Sequence, residues 1–462
     1  MGRVGSSPPR RFRSARRSAR RARWIVSDYW CERALVGDAI ASGVTLDVRD
    51  GRIASLRTNS APPDGAVRLP GFTMPGLANG HSHVFHRALR GRTQQARGSF
   101  WTWRDQMYDV AATLDPDRYY AIARATYGEM VLAGYTAVGE FHYLHNDADG
   151  NPYSGVVMEH ALAAAAAEAG IRLTLLDTCY LHGGFGRALA PVQRRFSDGS
   201  VDQWADRAAE VQRAMPDGVL VGAAIHSVRA VAPTEMTVVV GWAAERGAPL
   251  HAHVSEQPAE NAECLATYGV TPTQLLANAG ALDQLFTAVH ATHLSDSDIA
   301  ALGAASAVCC LCPTTERDLA DGVGPGRRLH ESGALLAIGS DSHAVVDPFE
   351  ELRAIELDER LITGRRGHHR SAELVLGACV SGMVALGREE TRLAADAPAD
   401  FVTVALDSVR LAGTREADTL DAVVYSATAS DVRHVVIGGE VVVRDGAHTR
   451  FDVPAALSQA LA

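Results

Sequence analysis

The sequence predicts a (β/α)8 TIM-type barrel with a small β-sandwich domain formed by both chain ends, and three observations carry that reading. Between residues 71 and 395, eight apolar strand-like runs alternate with Ala- and Leu-rich amphipathic stretches, the pattern of parallel strands joined by crossover helices. The runs lead into His81, Glu140, Thr178, His226, His253, His290, Cys312 and Asp341, and in such barrels the chemistry sits at the C-terminal strand ends. Short alternating strands with turn signals recur on both sides of this middle, at residues 24–70 and 396–452.

Each element has a local reason. Val44-Thr45-Leu46-Asp47-Val48, then Asp50-Gly51, then Arg52-Ile53 is a hairpin signal, since Asp-Gly suits a two-residue turn. Asp400 to Val404 and Val435 to Val443 repeat the strand pattern near the other end, so the two ends are expected to pair. Helices are expected over 159–169, 201–214 and 296–304. Residues 1–23 contain nine Arg and no acid; without an apolar stretch of signal-peptide length they read as a disordered extension.

Composition narrows the class. A chain of 462 residues with 47% hydrophobic and 21% charged residues can bury a large core. The net charge is -10, and because the first 23 residues are basic the remainder is more acidic still. An acidic body argues against nucleic acid as a partner. No run of 18 apolar residues occurs, so no membrane span is expected. Seven cysteines at irregular spacing do not form a disulfide framework. The chain therefore reads as cytoplasmic, with Cys309, Cys310 and Cys312 as buried strand thiols.

The candidate site begins at His81-Ser82-His83, where strand geometry turns residues i and i+2 the same way. His253, His290 and Asp341 fall at three further strand ends. Imidazoles with a carboxylate suit one divalent cation, zinc before iron or manganese. Such a cation acidifies a bound water.

From about Trp24 to Gly446 this constellation resembles the amidohydrolase superfamily. The resemblance implies metal ligation by His81, His83, His253 and Asp341, with Glu256, His290 and Asp341 as catalytic groups: Glu256 takes the water proton and returns it to a leaving nitrogen, and His290 orients the hydroxide and stabilises an oxyanion. His251 is left to packing or to a supporting place behind the ligands, and His293 is the less favoured site residue. The strings GLANGHSHVFHRALRG (76–91), FWTWRDQMY (100–108), EFHYLHNDADGNPY (140–153), IHSVRAV (225–231), CPTTERDLADG (312–322) and IGSDSH (338–343) are similar to those of formimidoylglutamate deiminases. That likeness implies a small dicarboxylate substrate, a step of histidine degradation and a homodimer. Arg104, Tyr143 and Arg229 would hold the carboxylates, and His226 would lie beside the formimidoyl group. Arg suits this task because its fork binds carboxylate bidentately. His86 departs from the family pattern, which has Gln there; an imidazole offers fewer donors and can charge. A deaminase of another imine or of a cyclic amidine, such as formimidoyl-aspartate, guanine or cytosine, is the competing expectation. An inactive metal-binding scaffold would predict loss of a ligand, and all are present.

Overall fold

The computed structural model describes residues 26–94 and 98–462; the Arg-rich extension at 1–23 lies outside the described residues. Eight parallel strands hydrogen-bond in chain order: β5 (Leu77–Ser82), β6 (Tyr135–His142), β7 (Arg172–Cys179), β8 (Leu220–Ser227), β9 (Leu250–Val254), β10 (Phe286–His290), β11 (Val308–Leu311) and β12 (Leu335–Ile338). These are the eight runs expected from the sequence. Strands β6, β9 and β10 are buried along their whole length, as parallel strands covered on both faces must be.

The barrel closes between β5 and β12 through very few backbone contacts. Asp341 N–H donates to the His81 carbonyl at 3.0 Å, and His83 N–H donates to the Asp341 carbonyl at 3.3 Å. Glycine makes this approach possible. A Cβ on Gly339 would lie 2.9 Å from both the His81 Cβ and the Cys312 Sγ, closer than packed atoms sit. At the other end of the barrel the turn of helix Gly382–Ala385 forms a floor. Ala385 packs there with Val289, Val308, Cys310, Cys312 and Ala337, and its carbonyl accepts from His251 Nε2 at 2.7 Å. His251 is thus a packing residue one layer below His253, and all seven cysteines are free and buried.

Crossover helices start and stop on local signals. Those at Pro116–Ala133, Pro233–Arg246, Pro258–Tyr268 and Pro348–Thr363 each open on Pro and are followed by a left-handed Gly, the asymmetry that helix ends favour. The helices at Val201–Ala214 and Asp296–Ala304 match the expected bounds, while Val157–Ala169 begins two residues early.

The chain ends contribute β1 (Val26–Val36), β2 (Ala39–Arg49), β3 (Arg52–Arg57), β4 (Val67–Pro75), β13 (Phe401–Val404), β14 (Val432–Ile437), β15 (Glu440–Arg444) and β16 (Ala447–His448). They hydrogen-bond as one continuous sheet, in the order β16-β15-β14-β13-β4-β1-β2-β3, and the antiparallel β4–β13 pair joins the two ends. Asp50 and Gly51 have φ of 53° and 77°, and Gly438 and Gly439 of 58° and 73°, as two-residue hairpin turns require. The sheet bends until these turns meet. Tyr29 O–H donates to the Gly439 carbonyl at 2.9 Å, over a core of Tyr29, Val44, Leu46, Val48, Phe401 and Val436. Arg172 of β7 ties the sheet to the barrel with a bidentate pair to buried Asp400.

Gly339→Ala tests the closure. The added methyl has no room between β5 and β12, so unfolding in denaturant should show a loss of about 1–3 kcal/mol.

Candidate metal centre and active site

His81, His83, His253 and Asp341 converge at the strand ends, all buried. His253 Nε2 lies 3.2 Å from His81 Nε2 and 3.4 Å from His83 Nε2. Asp341 Oδ1 lies 3.3 Å from His81 Nε2 and 3.5 Å from His83 Nε2. Backbone carbonyls decide two of the tautomers, because a carbonyl can only accept. His83 Nδ1 donates to the Phe141 carbonyl at 2.9 Å, and His253 Nδ1 to the His226 carbonyl at 2.7 Å. Their Nε2 lone pairs therefore face each other with no proton between them. Burial keeps these rings neutral, pulling His81 down to about 3, His83 to about 4 and His253 well below its ordinary value. Burial acts against Asp341 as well, but His81, His290 and His83 outweigh it and hold the carboxyl ionised. Neutral imidazole lone pairs and a carboxylate meeting at one point repel unless a cation lies among them, and the set fits a divalent metal with nitrogen and oxygen ligands.

Local backbone geometry aims these groups. Ser255, His290, Ala291, Asp341 and His343 have φ between 38° and 67°, left-handed values that are uncommon outside Gly. Each turns the chain sharply where a barrel strand ends.

His290 and Glu256 stand beside the ligands. His290 Nε2 is 3.7 Å from Glu256 Oε1 and 3.9 Å from Asp341 Oδ2. Its Nδ1 faces Glu316 Oε1 at 3.3 Å, and Glu316 is fixed by the Cys312 N–H at 2.8 Å. Burial would lower the His290 pKa, but Glu256, Glu316 and Asp341 raise it well above its usual value. Glu256 is pushed up to about 7 by burial, against the pull of His290 and Arg229. His293 is elsewhere, bonded to the Asp321 carbonyl at 2.7 Å.

One cavity unites this centre with His86, Arg104, Tyr143, His226 and Arg229. His86 Nε2 and the Tyr143 hydroxyl are 3.0 Å apart, and burial holds His86 well below its normal pKa, so it serves as a neutral ring. Burial, followed by Arg229, likewise keeps His226 uncharged. The two arginines differ. Arg229 Nε donates to Glu260 at 2.7 Å, and its NH2 lies 4.0 Å from Glu256. Arg104 stacks over the Trp101 ring at 4.5 Å; its buried Nε lacks a hydrogen-bond partner. Among the described residues no carboxylate pairs with it.

Several groups were missed from sequence. Glu316 lies in the quoted 312–322 string, one helical turn after Cys312. Glu260 follows Glu256 by four residues. Tyr108, Tyr180 and Phe196 complete the cavity wall, and only Tyr108 belonged to a quoted motif.

A closed eight-stranded barrel with imidazoles and a carboxylate gathered at the ends of its first, fifth and eighth strands is the build of a metal-assisted hydrolase. Residues 72–442 match the Amidohydrolase family, and the chain belongs to that family. It is 37% identical over 437 residues, 92% of this chain and 96% of the relative, to a formimidoylglutamate deiminase of Pseudomonas aeruginosa. A crystal structure of an amidohydrolase from Brucella melitensis superposes with a TM-score of 0.86 at 33% identity, covering 94% of this chain and 99% of that one. An adenosine deaminase from Xanthomonas campestris with bound zinc shares the fold, with a TM-score of 0.79 at 22% identity over 94% of this chain and 96% of that one.

Asp341→Asn should weaken binding of added zinc by at least about 100-fold, beyond what loss of a mere supporting hydrogen bond costs. Metal content after dialysis measures this; retention equal to the wild type would place the cation elsewhere.

Proposed function

We propose that the protein is a metal-dependent deiminase that hydrolyses N-formimidoyl-L-glutamate to N-formyl-L-glutamate and ammonia, a step of histidine degradation. The observation that carries the reading is Arg104, a guanidinium with no carboxylate partner among the described residues, in the same cavity as Glu256 and the metal centre. A half-buried cation whose inner Nε–H has no partner favours an anionic ligand. The relative named formimidoylglutamate deiminase supports the same choice.

His81, His83, His253 and Asp341 would hold a divalent cation, zinc on the strength of this imidazole-rich set, which would supply acidity to a water molecule at neutral pH. Glu256 Oε1 accepts a proton from that water and delivers it to the departing nitrogen. A carboxyl held near 7 by burial suits both directions of transfer. His290, oriented by Glu316 and kept protonated by its acidic neighbours, offers an Nε2–H to the oxygen on which negative charge develops. Water adds to the formimidoyl carbon, the terminal C–N bond breaks, ammonia leaves, and the formyl group stays on the glutamate nitrogen. Tyr143, His86 and His226 shape the wall around that carbon, and Arg104 and Arg229 bind the carboxylates.

The aromatic lining of Trp103, Tyr108, Tyr180 and Phe196 favours a second reading, a cyclic amidine stacked between rings. A neutral base would leave Arg104 without a counter-charge.

Purified zinc-loaded protein should release ammonia and N-formyl-L-glutamate in equal amounts from formimidoylglutamate and no ammonia from guanine or adenosine. The reverse preference would establish the cyclic reading. Glu256→Gln should lower kcat by about 10²- to 10⁴-fold while metal content and KM change little. Arg104→Met should cut kcat/KM for the dicarboxylate by about 10- to 100-fold and spare the melting temperature. Arg229→Met should lower both, because it also strands Glu260 as a buried unpaired charge.

A further inference from the structure

Gln193 lies on the short helix Pro191–Phe196, buried behind the cavity wall. Its orientation is fixed by the backbone: the Ala190 N–H donates to Gln193 Oε1 at 2.7 Å, so the other end of the amide must be the NH2 group. That NH2 donates to the Tyr180 hydroxyl oxygen at 2.7 Å and to the Tyr108 hydroxyl oxygen at 3.0 Å. An amide NH2 accepts nothing, so neither phenol can return its proton to Gln193. Each phenol therefore keeps its proton for another acceptor, and even a bridge from one hydroxyl to the other would leave one O–H free to donate. Both rings line that cavity, and the Arg104 guanidinium sits 5.6 Å from the Tyr108 ring centre.

We propose that Gln193 is a specificity-determining positioning residue. By occupying the acceptor side of Tyr108 and Tyr180, it turns phenolic donors toward a carboxylate bound at Arg104. This rests on the dicarboxylate reading and goes beyond it by assigning one carboxylate to a wall of tyrosine and arginine donors. A neutral group there leaves those donors unpaired, the kind of mismatch that separates substrates most sharply.

Gln193→Glu is the test. It keeps the shape and the acceptor for the Ala190 N–H, but its other oxygen accepts from the phenols, drawing their protons away from the cavity. Binding of N-formyl-L-glutamate to zinc-loaded protein, followed by calorimetry, should weaken by about 10-fold or more. KM for formimidoylglutamate should rise in parallel, with kcat nearly unchanged. Gln193→Met, which removes the donors without adding charge, should move both quantities in the same direction by less. Of two monocarboxylate analogues, one lacking the α- and one the γ-carboxylate of the formimidoyl substrate, one should be insensitive to the Glu variant. Unchanged dicarboxylate affinity in Gln193→Glu, or an equal loss on all three substrates, overturns the proposal. The deiminase reading fails separately. Wild-type protein that binds N-formyl-L-glutamate in a Gln193-dependent way yet releases no ammonia from formimidoylglutamate would keep the carboxylate subsite and discard the reaction; protein that neither binds nor turns over the dicarboxylate would discard both.

Discussion

The backbone exchange between Asp341 and the pair His81 and His83 is the constraint on which the rest of the structure depends. Two hydrogen bonds, from Asp341 N–H to the His81 carbonyl and from His83 N–H to the Asp341 carbonyl, close the barrel at its mouth. The same residues present the ligand atoms. Closing the barrel and assembling the centre are therefore one geometric event, made possible by the missing side chain at Gly339. The arrangement brings lone pairs together in a buried space, a cost that a cation offsets.

Much of this was legible in the sequence because its signals are local. Apolar runs alternating with helical stretches mark the eight strands, and five of those runs lead into His or Asp, at His81, His226, His253, His290 and Asp341, which marks their functional ends. The Asp50-Gly51 turn was legible because its dipeptide demands positive φ at both positions. What escaped depends on tertiary proximity. Nothing near Arg229 in the chain says that Glu260 will occupy its Nε, and nothing near Gln193 says that Tyr108, 85 residues away, will share its amide. The terminal strands were expected as a sandwich, and they do enclose a core, but as a single bent sheet whose continuity hinges on the β4–β13 pairing.

Electrostatics divides the cavity into two halves with different tasks. Around the centre, burial keeps His81, His83 and His253 neutral and poises Glu256 near neutrality, while His81, His290 and His83 hold Asp341 ionised against it. On the opposite wall, hydrogen-bond direction matters more than charge. Glu260 compensates Arg229, His86 is a neutral partner of Tyr143, and among the described residues no carboxylate pairs with Arg104. His86 thus sets a donor pattern on that wall without adding a charge, since burial holds its ring well below the ordinary histidine pKa.

The left-handed residues at the strand ends have a consequence for engineering. Ser255, His290, Ala291, Asp341 and His343 hold backbone conformations that cost energy in proportion to their rarity, of order 1 kcal/mol each. Selection for heat tolerance alone would gain most by relaxing them, and each relaxation would swing a strand end away from the point where the ligands meet. Thermostable variants of this enzyme should therefore draw their gains from the terminal sheet, the crossover helices and the floor of the barrel, leaving the mouth as a reservoir of retained strain.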